Sequence, residues 1–213
     1  MAVPSDTALK SRARTLLEAM TERERWVYAV PRELGDTQAR ALLLERGLSV
    51  QEEDTAAGVV RLDDGKDKAR FVLFSSAELE VTMIEASGPE APPLLAELLD
   101  RTGFYAQSQL LKTALDVRDA ECVKALRTLA HMVVAWDEDW SDLFLLHLAS
   151  PDAVVRHEAV TSTSIAAMVS RDPPPALRLL EEALRREKFP KLQETMKEAI
   201  AVVTAMGGGP VQM

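Results

Sequence analysis

The chain has one cysteine in 213 residues, Cys122, which excludes an intramolecular disulfide and fits a reducing compartment. Cys122 falls on a predicted buried stripe, where a thiol behaves as a small core hydrophobe. No apolar run approaches the roughly 20 residues that a bilayer-crossing helix needs. The first residues lack the basic stretch and apolar run of an export signal, so the expected location is cytoplasmic. Basic residues are scarce: 25 Lys and Arg stand against 34 Asp and Glu, a net charge of -9. The average field therefore repels phosphate backbones and anionic lipid, and neither nucleic acid nor a membrane is an expected partner. Arg178, Arg185, Arg186, Lys188, Lys191 and Lys197 do cluster late in the chain. Glu181, Glu182, Glu187, Glu194 and Glu198 alternate with them at helical spacings, which predicts pairing within helices.

Catalytic signatures are missing as well. No serine sits in a G-x-S-x-G elbow, and Gly65-Lys66 lies in a turn without the glycines of a phosphate loop. There are three histidines. His147 and His157 flank a turn at Pro151 and could approach each other beside Glu158, short of the three or four ligands zinc requires. The run from Asp137 to Asp142 puts oxygens at the first, third and fifth places of a calcium loop. Asp142 then stands where the sharp turn needs glycine, and Leu148 where a bidentate glutamate belongs. An inter-helix turn capped by Ser141 or Asp139 is the expected outcome, with no metal and no cofactor.

What is present divides into two halves. A helix over 6–20 carries Leu9, Ala13, Leu16, Leu17 and Met20 on one stripe. Trp26 to Val30 reads as a strand stopped by Pro31, and a helix follows Asp36 and ends at Gly47. Val59–Leu62 and Arg70–Phe74 flank a turn containing Asp64-Gly65, which predicts a hairpin. Leu79, Val81 and Met83 alternate with Glu80 and Thr82, a third strand with one wet face. The fold class expected is α+β: a small N-terminal module over 1–88 with a mostly antiparallel sheet of three or four strands. Its element order resembles small α+β proteins of the secretion-chaperone type.

Beyond the Gly88-Pro89 border, an all-α domain is expected over 89–206, with a flexible tail over 207–213. Three stripes of spacing i, i+4, i+7, i+11, i+14 recur: Cys122 to Trp136, Val155 to Val169 and Leu192 to Met206. Ahead of each lies a shorter apolar pair, Leu111 and Leu115, Phe144 and Leu148, Leu180 and Leu184. The unit is thus a helix pair of about 33 to 37 residues, within the span of helical solenoids. Asp119 and Asp152 precede two of the stripes as N-caps, and Phe189-Pro190 takes that place in the third. Residues 104–206 resemble HEAT-type α-solenoid repeats, best over Leu145–Met168, with Pro151-Asp152 at the turn and Val155-Arg156 followed by Ala159. The resemblance implies that Asp152 caps the second helix of its pair and that Arg156 pairs with acidic groups between repeats. The first pair has Val123 where that arginine belongs, and the third has neither residue.

A repeat stack is a surface rather than a chemistry. The expected function is a non-catalytic, cytoplasmic protein-binding or regulatory factor, such as an adaptor, inhibitor or immunity-type protein. Its acidic helical face favours a basic partner. The candidate contact residues are Trp140, Asp137, Glu138, Asp139, His147, Arg156 and His157. One alternative is a chaperone-like assembly factor that pairs a client with the sheet edge around Val59–Met83. Another is an enzyme subunit with a cleft between the modules near Tyr105, Gln107 and Asp100.

Overall fold

A computed structural model describes residues 24–116 and 121–207. The chain divides between Tyr105 and Ala106 into two compact units. The helix expected over 6–20, the cap Asp119 and residues 208–213 of the expected tail lie outside the described residues.

The first unit is built on a five-stranded antiparallel sheet, one strand more than the upper expectation. Its strands are β1 (Arg25–Pro31), β2 (Ser49–Asp54), β3 (Val59–Asp63), β4 (Arg70–Ser76) and β5 (Val81–Ser87), in the order β1-β5-β4-β3-β2. The hairpin turn read from Asp64-Gly65 pairs Val59 with Phe74 and Asp63 with Arg70, as alternation dictates. Asp64 fixes this turn by accepting the backbone N–H groups of Lys66 and Lys68. Strand β5 departs from the expectation of one wet face. It sits between β1 and β4, and four consecutive residues, Val81 to Ile84, are buried, Thr82 included.

Between β1 and β2 the chain runs helically through α1 (Arg32–Leu34), a π-helical turn (Gly35–Ala39) and α2 (Arg40–Glu45). Asp36 therefore lies inside a π-turn instead of capping a helix, and Gly47 follows α2 with φ 89, the left-handed geometry expected there. Helix α3 (Ala91–Thr102) ends at Gly103 and buries Ala91, Leu95, Leu98 and Leu99 in one core with Trp26, Leu43, Phe71 and Ile84. That packing places α3 in the first unit, so the division lies past Tyr105 and not at residue 88.

Among the described residues the second unit holds six helices: α4 (Gln107–Leu115), α5 (Cys122–Ala130), α6 (Glu138–Leu148), α7 (Ala153–Ser170), α8 (Pro173–Arg186) and α9 (Pro190–Gly207). Helix α4 packs on α5, α6 on α7 and α8 on α9; α7 also packs on α5 and α9, and α6 on α8. The three expected helix pairs are therefore present as a stack. In the first pair the long stripe is interrupted, since α5 ends at Ala130, and Val133 and Trp136 lie in the following loop. Both still pack against the core. The core of this unit centres on Leu126, Leu129, Phe144, Ala159, Leu180 and Met196. Among the described residues no helix is long and apolar enough to cross a membrane.

Candidate binding surface

Helix α6 starts from a cap supplied by Asp137, whose Oδ1 accepts the backbone N–H of Trp140 at 3.0 Å. The expected cap is Ser141 or Asp139. Ser141 instead accepts a hydrogen bond from the Trp136 indole N–H at 2.8 Å, and Asp139 is exposed in the first turn. Capping by Asp137 also aims Glu138 and Asp139 at the positive end of the helix dipole. Along the outward side of α6, Glu138, Asp142 and Leu146 are exposed at successive four-residue steps, and Ala149, just past the helix, is exposed three residues on. This face runs from acidic to apolar, and Leu146 is 42% exposed.

The C-terminal end of α6 leads into a groove of about 300 Å³, lined by Leu145, Leu148, Ser150, Arg156, Ala183 and Lys188 among others. Its wall is one ion pair. Arg156 on α7 donates from Nε to Glu187 Oε2 at 2.7 Å and from Nη2 to Glu187 Oε1 at 3.1 Å. The same guanidinium donates from Nη1 to the carbonyls of Ser150 and Pro151, closing the end of α6. Glu187 in turn accepts the backbone N–H groups of Lys188 and Phe189, just ahead of α9. The Arg156 fork, helped by those two N–H groups, holds the Glu187 carboxyl below the usual carboxylate range against the opposing effect of burial. One arginine thereby ties the second helix pair to the third. Asp152 caps α7, accepting the Val154 N–H at 2.8 Å.

Three of the seven candidate contact residues are exposed acids, Asp137, Glu138 and Asp139, the first of them with one oxygen engaged as the α6 cap. His157 is exposed too and lies 3.7 Å from Glu158. Arg156 is committed to Glu187. Trp140 and His147 are corrections. Trp140 is buried and stacked near Phe144, with ring centroids 6.4 Å apart, because it lies four residues ahead of Phe144 on the same inward face. His147 is fully buried, with Nδ1–H donating to the Leu143 carbonyl at 2.9 Å and Nε2 unpartnered. Two histidines flanking one turn thus face opposite surroundings, and no cluster of metal-ligating groups occurs among the described residues.

His131, just past α5, is pushed down to about 4 by burial, with the Arg127 charge adding to the effect. Its neutral form is favoured in the fold, so its contribution to stability is complete above the ordinary value of 6.5 and drains as pH falls toward 4. An NMR titration should show the His131 ring resonances still moving near pH 4, below the ordinary histidine range. A midpoint of 6 or higher would show the ring to be solvated.

A second concavity lies in the first unit, about 510 Å³, between the α1–α2 segment and strands β2 to β4. Asp36 at its floor accepts hydrogen bonds from Ser75 and from Thr82 Oγ1, the latter at 2.8 Å. Most of its charged lining is paired, Arg40 with Glu53 at 2.7 Å and Arg32 with Asp36 at 3.5 Å, while Asp54 accepts the backbone N–H groups of Ala56 and Ala57. Nothing in the spacing of Asp36, Ser75 and Thr82 announces this network, because the sheet register and the π-turn bring them together. Asp100, Tyr105 and Gln107, the polar residues of the expected enzyme cleft, are each exposed.

The chain matches no protein-family model, no curated protein and no solved structure.

Proposed function

We propose that the protein is a non-catalytic, cytoplasmic binding factor, an adaptor or inhibitor, whose HEAT-like helix pairs present the outward side of α6 to a basic protein. One observation carries this reading. Helix α6 places exposed acids, Glu138, Asp139 and Asp142, directly before an exposed leucine and an apolar-floored groove. The acids supply long-range attraction and orientation, and the leucine and groove supply apolar contact once the partner has arrived. The net charge of -9 strengthens the same preference.

Capture from cell extract at low and at high salt tests it, with Asp139→Lys/Asp142→Lys as the comparison. A basic protein should be retained at low salt and lost at high salt, and the double reversal should weaken retention about tenfold, since exposed charges act mainly on encounter. Capture that ignores both salt and the reversal would sink the proposal.

The chaperone-like alternative needs an open sheet edge, and the residues expected to form one, Val59 to Met83, lie on β3, β4 and β5 inside the sheet. The edge at β2 is bulged between Val50 and Glu52 and carries Glu52, Glu53 and Asp54, features that oppose strand addition. At the β1 edge, Ala29 O already accepts the Tyr105 N–H at 2.9 Å.

A further inference from the structure

The outward face of α6 changes sign along its length. Glu138, Asp139 and Asp142 are exposed at its start, and at its end the exposed Ala149 joins the face to the groove that it also lines. The charged groups lining that groove are Arg156, Arg186, Lys188 and Glu187, three cations against one anion on a chain of net charge -9. Two of the cations are already answered. Arg156 holds Glu187 in its fork, and Arg186 donates to Glu182 one turn back on α8. Glu187 is engaged further by the Lys188 and Phe189 N–H groups. The Lys188 ammonium has no ion-pair partner among the described residues, and it is exposed in the same groove as Leu145, Leu148 and Ala183. Helices α6 and α8 end beside this groove while α7 and α9 begin beside it, so their dipoles oppose one another and the side chains set the sign.

A partner that is basic throughout is attracted to the start of α6 and repelled at the groove. We propose that the groove takes the C-terminal residue of the partner chain, its apolar side chain against Leu145, Leu148 and Ala183 and its terminal carboxylate on Lys188. This inference rests on the reading of α6 as the docking face and adds which part of the partner docks. Size favours a chain terminus over an internal acid. The groove of about 300 Å³ lies at the small end of ligand pockets. At a C-terminus the carboxylate and the apolar side chain share one Cα, whereas in an extended segment an internal acid points away from its apolar neighbour. The spacing places the basic residues as well. Asp142 stands seven positions before Ala149, about 10 Å along the helix, which an extended peptide covers in about three residues.

The test is fluorescence anisotropy on the full chain with the peptide Lys-Lys-Lys-Ser-Ser-Leu, labelled at its N-terminus and made both as the free acid and as the C-terminal amide. The average field of an acidic chain favours the amide, which carries one more net positive charge. The groove reverses that order, so the free acid should bind about tenfold more tightly. Lys188→Glu, at an exposed position outside the core, should remove or invert this preference. Asp139→Lys/Asp142→Lys should weaken both forms alike. An amide that binds as tightly as the free acid overturns the inference, while salt-sensitive capture of a basic protein from extract would leave the proposed function standing. An amidated Lys-Lys-Lys-Ser-Glu-Leu that matches the free acid overturns it too, by assigning the carboxylate to a side chain. So does the absence of binding by either form up to about 1 mM, the weak end of specific affinity.

Discussion

Replacing Arg156 by methionine is expected to lower the stability of the second unit by about 3 kcal/mol, the lower end of the cost of stranding one partner of a buried ion pair. The lower end applies because Arg156 keeps 18% of its side-chain surface in water, although Glu187 keeps only 4%. Methionine fills the stem volume but leaves the carboxylate with two backbone N–H groups and the Ser150 and Pro151 carbonyls without their donor. Adding Glu187→Gln should recover part of the loss, since the amide oxygen can still accept the N–H groups of Lys188 and Phe189 while the stranded charge is gone. The two substitutions together should therefore cost less than their sum. Urea unfolding of all four chains measures this, and strict additivity would show that the pair contributes little.

The same pair fixes a pH dependence. The Glu187 carboxyl is held below its ordinary value of 4.5, so its stabilisation is complete above that value and lost as pH falls through the depressed one. The stability gap between wild type and Arg156→Met should therefore be full at pH 7 and shrink as pH drops below the ordinary carboxylate range. A gap that stays constant to pH 3 would mean that the fork is not what lowers the Glu187 carboxyl.

The second large effect is expected at Gly35→Ala, a loss of about 3 kcal/mol in the first unit, the upper end of what overpacking costs. The sign is what makes it informative. Gly35 has φ -62 and ψ -49, which alanine adopts freely, so helix propensity alone predicts a gain of about 1 kcal/mol. Sterics predict the reverse, because a β-carbon there would fall within 3 Å of Thr82 Cβ, Oγ1 and Cγ2. Thr82 is fully buried and hydrogen-bonded to Asp36 on a strand paired on both sides, so it has nowhere to retreat. Chemical unfolding followed at Trp26, which packs in the same core, reads the outcome. A stabilised variant would mean that the π-turn moves off the sheet easily.

How far the sequence led differs from element to element. The β3–β4 hairpin was legible, its strands ending one and two residues later than expected, because the turn chemistry of Asp63 to Asp67 and the alternation of Val59 to Leu62 are local. So was the start of α7 at Asp152, a cap three residues ahead of its stripe. Trp140 and His147 were misplaced for one reason. Trp140 lies four residues before Phe144 and His147 three after it, so both fall on the helix face that the apolar Phe144 and Leu148 turn inward. Strand β5 misled because alternation implies one wet face only when nothing covers the second side. The Asp36, Ser75 and Thr82 network left no trace in the spacing, since its members lie 39 and 46 residues from Asp36 and meet through register.

By itself the sequence determined the fold class, the hairpin, the helix pairs and the absence of catalytic spacing, all of which rest on interactions within a few residues. Tertiary structure alone decided the fifth strand, the assignment of α3 to the sheet unit, and which acids stand exposed beside a groove. These depend on which surfaces meet, and burial against a distant element is a free-energy term that no local pattern contains.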